Sequence, residues 1–396
     1  MSDFVPPPPP PFRESGSYAY ARSPRGGLQP STQVRCPICL DLFAWNDSDL
    51  FRRLPDGTYA ELDLGPTADG RKRANKMLGA WKRCPNPSGD MPRDHYLPVA
   101  YARSGSPLVI GLVGRTESGK SHLLASIIME IERNGLSPLG LTAEPVDIDM
   151  HQEFVRSSVA PLARGEVIPQ TEPVPAEAQV LFMDALLVGD AQRRRAVAFF
   201  DVSGEDLTRN TTSMNFVLAV DALIFVVDAE QAIGRDGGTS HRPVSGDPAF
   251  DMVLNRLRGQ DGMISTVPAA TVIAKSDQWR FEPPVARWLR RPTLTAYRSP
   301  RLVPAVSEIE EESRDAYAFL YAHGATPWLR PFEAFRRSTL HFVSATGSGP
   351  VEEHARTGTV RIFRRGVRPR RVLDPLAAIL AMTGILGDEA AKEVGI

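Results

Sequence analysis

Residues 108–121 read LVIGLVGRTESGKS, an apolar run followed by the pattern GxxxxGK[ST]. In a loop of this kind a strand leads into a Gly-rich turn whose backbone N–H groups surround an anion, and the next helix adds the positive end of its dipole. HLLASIIMEIER follows with apolar residues at helical spacing. The pattern predicts a nucleotide phosphate site in which Lys120 reaches the outer phosphates and Ser121 binds Mg²⁺. The other residues expected to contact nucleotide here are Gly114, Glu117, Ser118, Gly119 and His122.

Composition limits the classes of protein and partner. The chain has 396 residues, 42% hydrophobic and 23% charged, with a formal net charge of −1. This balance is typical of a globular protein and gives no strong signal for nucleic acid or for an anionic membrane as partner. No uncharged apolar run approaches the roughly 18 residues that a membrane helix needs, and no apolar signal peptide begins the chain. We therefore expect a cytoplasmic protein.

Composition also divides the chain into three parts. Residues 1–32 contain a run of prolines and no periodicity, which predicts a disordered tail, either a spacer or a ligand for an aromatic groove. Residues 33–98 hold all three cysteines. Residues 105–396 form the predicted main domain, with an insertion at 280–335 that includes the amphipathic helix SEIEEESRDAYAFLYAH.

Apolar segments alternate with helical ones in the main domain, which predicts an α/β fold with a mainly parallel sheet flanked by helices. VLFMDALLV should be one antiparallel strand, because the polar turn that joins it to AVAFFDV is too short for a crossover helix. The last helix should have Asp374 as its N-cap, ahead of Pro375. The strand candidates are LVIGLV, VLFMDALLV, AVAFFDV, DALIFVVDA, ATVIAKSD and TLHFVSAT.

The strand ends beyond the phosphate loop carry further nucleotide-binding patterns. AVAFFDVSGED ends a strand at Asp201 and reaches Gly204 three residues later, which is a DxxG pattern. The Asp carboxylate would hold the Mg²⁺ shell, and the Gly N–H would meet a γ-phosphate. This pattern is weak alone but gains weight from its place after an apolar strand.

TVIAKSD places Lys275 and Asp277 at another strand end, close to the pattern [NT]KxD. The Asp carboxylate can accept hydrogen bonds from the ring N–H and exocyclic amine of guanine, whereas adenine has no such pair of donors on that edge. Ala274 stands where the pattern has an amide or hydroxyl residue, and we expect it to remove a hydrogen bond that braces the phosphate loop. HFVSATG supplies Ser344 and Ala345 in a turn whose backbone would contact the guanine carbonyl.

GRTESGKS, DVSGE, AKSD and SAT occur in this order at predicted strand ends, and residues 108–390 resemble the Ras-like, translation-factor-related class of P-loop GTPases. With its N-terminal cysteine region and its closing helix VLDPLAAIL, the chain more narrowly resembles a bacterial double-GTPase-type family proposed to act in conflict or signalling systems. The resemblance implies GTP/GDP and Mg²⁺ as cofactors, GTP hydrolysis, and an activator or effector protein as partner. A non-hydrolysing nucleotide-dependent adaptor and an ATPase of another P-loop class remain alternatives.

The resemblance also implies a mobile Thr that closes on Mg²⁺ and the γ-phosphate. Thr171, in a polar loop before the predicted strand pair, is the first choice and Thr142 the alternative. Glu205 stands where many relatives have the Gln that orients the attacking water; its charge would repel the γ-phosphate, so we expect slow turnover or a need for an activating partner. The expected catalytic residues are Lys120, Thr171, Gly204 and Glu205, and the expected Mg²⁺ ligands are Ser121, Thr171 and Asp201.

Cys36 and Cys39 have the CxxC spacing that lets two thiolates share a tetrahedral Zn²⁺, and Cys84 would be a third ligand. His95 is the best candidate for the fourth, with Asp90 and Asp94 as alternatives. Redox pairs share the CxxC spacing, but no thioredoxin-like βαβ pattern surrounds it. We therefore predict a small zinc-ribbon-like fold for this region. It either holds a structural Zn²⁺ or is a degenerate ribbon without metal.

RIFRRGVRPRR, residues 361–371, holds six arginines and one aromatic residue. The solvated edge of a twisted hairpin and a surface for an acidic partner or nucleic acid backbone both fit this composition. The lack of interleaved stacking residues favours the hairpin edge.

Overall fold

The structure is a computed structural model. It describes residues 33–395 apart from 55, 66–69, 90–93, 104, 169–180, 191–192, 204–216, 235–245, 259–261, 265–266, 298–303, 356–357 and 388–389. The predicted Pro-rich tail lies outside the described residues. Among the residues that are described, no helix is both long enough and apolar enough to cross a bilayer.

A seven-stranded sheet forms the centre of the main domain, in the order β13-β12-β11-β7-β10-β9-β8. β9 pairs antiparallel with both β10 and β8, and the other pairs are parallel. The predicted mainly parallel sheet with one reversed strand is therefore confirmed. The strands are β7 (Leu108–Gly114), β8 (Thr142–Pro145), β9 (Leu181–Gly189), β10 (Arg194–Ser203), β11 (Ala222–Asp228), β12 (Ala269–Ala274) and β13 (Ser338–Phe342).

Continuous apolar sequence explains why the central strands lie where they do. Every residue of β7, β11 and β12 is buried, as expected for parallel strands covered by helices on both faces. Edge strand β8 has the sequence TAEP and an alternating, half-exposed pattern. No apolar run marks it, which is why the sequence did not predict it.

Helices pack on both faces of this sheet. α3 and α11 contribute to the core on one face, and α7 to α10 contribute to the core on the other. The helices of the main domain are α3 (Lys120–Glu132), α4 (Ile148–Phe154), α5 (Ala160–Ala163), α6 (Ala229–Ile233), α7 (Pro248–Leu257), α8 (Pro283–Arg290), α9 (Val306–Ala322), α10 (Arg330–Ala334) and α11 (Asp374–Met382).

The turn between β9 and β10 is a tight hairpin, as predicted. Gly189 lies opposite Arg194, and the Asp190 N–H donates to the Arg193 carbonyl over 3.0 Å. A Cβ at Gly189 would lie 1.9 Å from that same carbonyl oxygen, so only glycine fits this close approach.

The segment predicted as an insertion at 280–335 lies within the connection between the parallel strands β12 and β13. α9 falls where an amphipathic helix was predicted, and its buried residues include Ile309, Ala316 and Leu320. Ala316 and Leu320 join the core on the sheet face shared with α7 and α8, whereas Ile309 joins the core on the opposite face. The helix is therefore part of the α/β crossover, and the domain boundaries themselves stay a prediction.

Asp374 is the first residue of the last helix, and the N-cap is Leu373 instead of the predicted Asp374. The carboxylate of Asp374 lies 2.9 Å from Arg371 Nη2, and it also accepts from the Leu294 N–H. This buried ion pair replaces the predicted capping hydrogen bond.

A separate hairpin, β14 (Val351–Ala355) with β15 (Gly358–Ile362), precedes this helix. Five arginines of the 361–371 stretch are exposed, in agreement with a solvated edge. Arg371 contradicts that prediction: it is 2% exposed, because it pairs with Glu312 and Asp374 in the interior.

The N-terminal region is built from two small antiparallel sheets and two helices. Val34 and Tyr101 of this region join the core of the main domain, and Arg53 forms an ion pair with Asp149 at the start of α4. The region therefore packs directly on the main domain. Its elements are β1 (Gln33–Arg35), β2 (Leu42–Ala44), β3 (Leu50–Arg53), β4 (Tyr59–Glu61), α1 (Gly70–Leu78), β5 (Ala80–Arg83), β6 (Tyr96–Pro98) and α2 (Val99–Arg103).

Candidate functional site

The phosphate loop connects β7 to α3, as the sequence predicted. Gly119 and Glu117 have φ angles of 98° and 67°, a left-handed backbone that turns the loop back on itself. A Cβ at Gly114 would lie 2.8 Å from the Val226 carbonyl oxygen, so the loop packs against β11 with no room for a side chain. The Ser118 hydroxyl is buried in the loop, with no hydrogen-bond partner among the described residues.

Lys120 begins α3 and is 6% exposed. Its ammonium donates to the carbonyls of Gly114 and Arg115 over 2.7 and 3.0 Å. Asp201 Oδ1 lies 3.9 Å from the same nitrogen. The cation is therefore held over the loop, where it can meet the outer phosphates of a nucleotide.

Asp201 lies beside the phosphate loop because β10 runs parallel to β7, with Ser203 opposite Gly114. The Ser121 hydroxyl donates to Asp201 Oδ2 over 2.9 Å. A hydroxyl and a carboxylate at this distance are hard oxygen ligands of the kind that Mg²⁺ takes beside a nucleotide phosphate. The residues present therefore fit a Mg²⁺ ion.

Two segments converge where the base of a nucleotide would lie, residues 275–279 after β12 and residues 343–349 after β13, and together they are called the base loop. Asp277 is 7% exposed, and its Oδ1 accepts a hydrogen bond from the Ser344 hydroxyl over 2.6 Å. The Gly347 N–H donates to that hydroxyl in turn, over 2.9 Å. The carbonyl of Ala345 accepts from Ser126 Oγ on α3 over 2.8 Å. A cavity of about 340 Å³ opens beside this pair of loops, lined by Gly234, Gln278, Trp279 and Gly349.

Lys275 links the base loop to the phosphate loop. Its ammonium donates to the Glu117 carbonyl over 3.0 Å and to Asp228 Oδ2 over 2.8 Å. Ala274 makes no side-chain hydrogen bond, as expected, but the lysine supplies a brace to the phosphate loop from the next position. Asp228 was not predicted. It is a buried carboxylate at the end of β11 that also caps α6 through the Glu230 N–H.

Asp247 braces the phosphate loop from the other side and was also not predicted. Its Oδ2 accepts from the Arg115 N–H over 2.8 Å, and its Oδ1 caps α7 through the Ala249 N–H. Burial raises the pKa of this carboxyl. The sequence Asp247–Pro248 is an N-cap signal, but it gives no indication that the same carboxylate reaches the phosphate loop.

The His122 side chain lies away from the predicted phosphate contacts. Its Nε2 accepts from the Ile168 N–H over 3.3 Å, and its ring meets the edge of Phe363 at 5.9 Å. Burial, together with the charges of Lys275 and Arg361, lowers its pKa to about 4. The imidazole is therefore neutral, and any contact of this residue with phosphate would come from its backbone N–H in the first turn of α3.

Thr142 is wrong as the alternative switch residue. Its hydroxyl donates to the Gly189 carbonyl, and Gly189 lies opposite Arg194, at the far end of β10 from Asp201. At about 3.3 Å per strand residue, the two ends are ~23 Å apart. Thr171, Gly204 and Glu205 lie outside the described residues, so their roles stay predictions.

The predicted zinc ligands lie together in the N-terminal region. One ligand atom each from Cys36, Cys39, Cys84 and His95 lies within 4.8 Å of all the others, and all four residues are buried. Burial raises the pKa of the Cys36 thiol, whereas hydrogen bonds from Cys36 and Cys39 lower that of Cys84 to about 4. Three sulfurs and one imidazole fit a tetrahedral Zn²⁺.

Backbone geometry supports this arrangement. The N–H groups of Ile38 and Asn86 point at the sulfurs of Cys36 and Cys84, at 3.3 and 3.4 Å. The alternative ligand Asp94 is exposed and pairs with Arg83, and Asp90 lies outside the described residues.

The fold and strand-end geometry agree with comparisons to known proteins. Residues 108–316, more than half of the chain, match the family model described as Double-GTPase 2. The chain belongs to the Double-GTPase 2 family. The predicted P-loop GTPase class is thus confirmed, and with it the relation to GTP-binding proteins.

Two solved structures show similarity at low sequence identity. A bacterial selenocysteine-specific elongation factor, EF-Sec, is 12% identical over 60% of this chain and 26% of its own, with a TM-score of 0.26. Sup35 complexed with GDP is 14% identical over 60% of this chain and 37% of its own, with a TM-score of 0.23. The chain thus spans less than two thirds of either protein. Among curated proteins, no sequence matches it.

The Lys275 brace generates the first prediction. Asp228→Asn keeps a capping oxygen for α6 but removes the negative charge beside the ammonium, and we expect about tenfold weaker GDP binding because a charge-assisted hydrogen bond is weakened. Titration with a fluorescent GDP analogue measures this. The matched control is Asp251→Asn, which removes a partly exposed ion pair with Arg330. Equal affinities in the two variants would contradict a role for Asp228 in the site.

Proposed function

We propose that the protein is a guanine-nucleotide switch that hydrolyses GTP to GDP and phosphate with Mg²⁺. The observation that carries the proposal is the contact of Ser121 with Asp201, beside the ammonium of Lys120. A Mg²⁺ bound there would supply positive charge against the negative charge of the phosphates. Ser121 and Asp201 would hold the ion, and Lys120 would stabilise the outer phosphates.

Base choice would rest on Asp277. Its Oδ1 already accepts from Ser344, so the carboxylate is fixed in orientation, with further lone pairs on both oxygens. Guanine presents a ring N–H and an amine that match such an acceptor, and adenine does not. This supports GTP over ATP, and an ATPase is the alternative that competition tests: ATP should displace labelled GDP far less well than GTP does.

The hydrolytic step itself depends on residues outside the described part of the chain. We propose that Thr171 completes the Mg²⁺ shell, that the Gly204 N–H meets the γ-phosphate and that Glu205 lies near the attacking water. A carboxylate at that position repels the γ-phosphate, so turnover would be slow or stimulated by an activating protein. A bacterial signalling or conflict system and a cytoplasmic location remain expectations from the sequence.

Replacing Asp277 tests the choice of base. Asp277→Asn should lower guanine affinity by about 10- to 100-fold, since hydrogen bonds to a charged group are lost, and should raise xanthine affinity, since an amide can donate to the added carbonyl. Competition between labelled GDP and unlabelled GDP or XDP measures both changes. Asp190→Asn, in the turn between β9 and β10, is the control. Unchanged guanine affinity in Asp277→Asn would remove this residue from the site.

Single-turnover hydrolysis separates the switch from a non-hydrolysing adaptor. With labelled GTP and Mg²⁺, we expect slow phosphate release that cell extract accelerates and that Lys120→Ala reduces at least about 100-fold, as loss of a phosphate-binding cation should. Lys72→Ala, on the exposed side of α1, should behave as wild type. If no phosphate is released with or without extract, while GTP still binds, the adaptor is the correct function.

We also propose that Cys36, Cys39, Cys84 and His95 hold one structural Zn²⁺. Four protein ligands would fill the tetrahedral shell and leave no position for a catalytic water or substrate. The metal would fix the region that packs against the main domain. Purified protein should contain close to one zinc per chain by elemental analysis. Cys39→Ser should lose most of it, and His354→Gln, on the exposed hairpin, should lose none. Zinc-free wild-type protein, purified without chelators, would rule the site out.

A further inference from the structure

A buried cluster of charges lies behind the base loop, next to the end of β13. Arg371 and Glu312 are 2% and 1% exposed. Arg371 Nη2 donates to Glu312 Oε2 over 2.8 Å, and its Nε donates to Oε1 over 3.2 Å. Asp374 Oδ1 lies 2.9 Å from the same Nη2. Three elements therefore meet at one guanidinium: α9, the segment after β15 and α11.

Glu312 also anchors the strand that leads into the base loop. Its Oε1 accepts from the Phe342 N–H over 3.2 Å, and its Oε2 lies 2.9 Å from His341 Nδ1. Burial alone would raise the pKa of this carboxyl, but Arg371 and His341 hold it at about 2. The Glu312 side chain therefore places a fixed negative charge beside Phe342, the last residue of β13. Phe342 precedes Ser344 by two residues.

Backbone bonds connect Arg371 to the residue that orients Asp277. The preceding residue, Arg370, donates to the Ser344 carbonyl over 2.8 Å and accepts from the Ser344 N–H over 3.1 Å. The Arg368 N–H donates to the Thr346 carbonyl over 2.9 Å. A Cβ at Gly347 would lie 2.7 Å from the Arg368 carbonyl oxygen, so the two segments are in close contact.

We propose that Arg371 and Glu312 are positioning residues for base recognition: their ion pair holds segment 368–371 against residues 344–347 and thereby keeps the Ser344 hydroxyl on Asp277. The proposal rests on the proposed guanine recognition and extends it to residues that do not touch nucleotide. Arg371 has a left-handed backbone, with φ 57°, and this sets the direction in which the chain leaves the segment that pairs with the base loop.

The energetics of buried ion pairs favour a role for Arg371 and Glu312 beyond the stability of the fold. The desolvation cost of burying two charges is about as large as the attraction between them, so apolar side chains of similar size would often serve stability equally well. A bidentate guanidinium–carboxylate pair adds a fixed geometry that apolar contacts lack. Here that geometry is passed to Ser344 through a pair of backbone hydrogen bonds.

The test compares GDP with IDP, whose base lacks the exocyclic amine. The ratio of the two affinities reports how well the Asp277 carboxylate meets that amine, whereas phosphate binding contributes equally to both. In Glu312→Gln and Arg371→Lys we expect the GDP preference of the wild type to fall by about fivefold to tenfold, with IDP affinity falling less than GDP affinity, because guanine has two hydrogen bonds to the Asp277 carboxylate to lose and hypoxanthine has only the one from its ring N–H.

The chain supplies a matched control in Arg370→Gln, which removes a neighbouring exposed arginine while leaving the backbone bonds to Ser344 in place. This variant should keep the wild-type ratio. Hydrogen exchange of the peptide that contains residues 340–350 gives a second readout, and it should be faster in Glu312→Gln than in Arg370→Gln. Should a variant fail to fold, the double replacement Glu312→Leu with Arg371→Met retains the buried volume and should show the same fall in GDP preference.

Wild-type ratios in folded Glu312→Gln, Arg371→Lys or the double variant would overturn the proposal and leave the proposed function intact. If instead wild-type protein binds GDP no better than ADP, and Asp277→Asn changes nothing, the proposed guanine recognition itself fails. The two failures are thus distinguishable in one set of titrations.

Discussion

The ammonium of Lys275, held between the Glu117 carbonyl and the Asp228 carboxylate, joins the base loop to the phosphate loop. This contact spans the candidate nucleotide site, because the two loops come from strands that are not neighbours: β11 separates β7 from β12. Asp247 holds the opposite side of the phosphate loop through the Arg115 N–H. Two buried carboxylates, each also capping a helix, thus support the phosphate loop, Asp247 directly and Asp228 through Lys275.

Around this centre, each half of the nucleotide site has a separate support. On the phosphate side, the parallel register of β10 with β7 brings Asp201 to Ser121. On the base side, Ser344 orients Asp277, and the buried Glu312 and Arg371 lie behind Ser344. The N-terminal region packs on the same main domain through Val34 and Tyr101. The cysteines form a separate small cluster within this region, with Phe43 and Leu97.

Much of this could be predicted from the sequence. The apolar runs of β7, β11 and β12 have no polar alternation, so they indicated buried parallel strands, and the short polar turn at Gly189 indicated the reversed strand β9. Edge strand β8 could not be predicted, because it is short and half-exposed. Asp228 and Asp247 were missed, because their contacts with Lys275 and Arg115 join residues far apart in the chain. The solvated reading of the arginine-rich segment was right for five residues and wrong for Arg371.

The sequence by itself determined which residues stand at the strand ends, the pattern GRTESGKS after β7, Asp201 near the end of β10 and Asp277 after β12, and it pointed to three cysteines with one histidine in the N-terminal region. Local patterns suffice there, since each depends on residue type and short spacing. Tertiary structure alone decided how these pieces are held, because a buried carboxylate takes its partner from whichever element folding places beside it. In the folded chain Thr142 lies at the end of the sheet away from Asp201, the His122 side chain contacts Ile168, and Arg371 is buried behind the base loop.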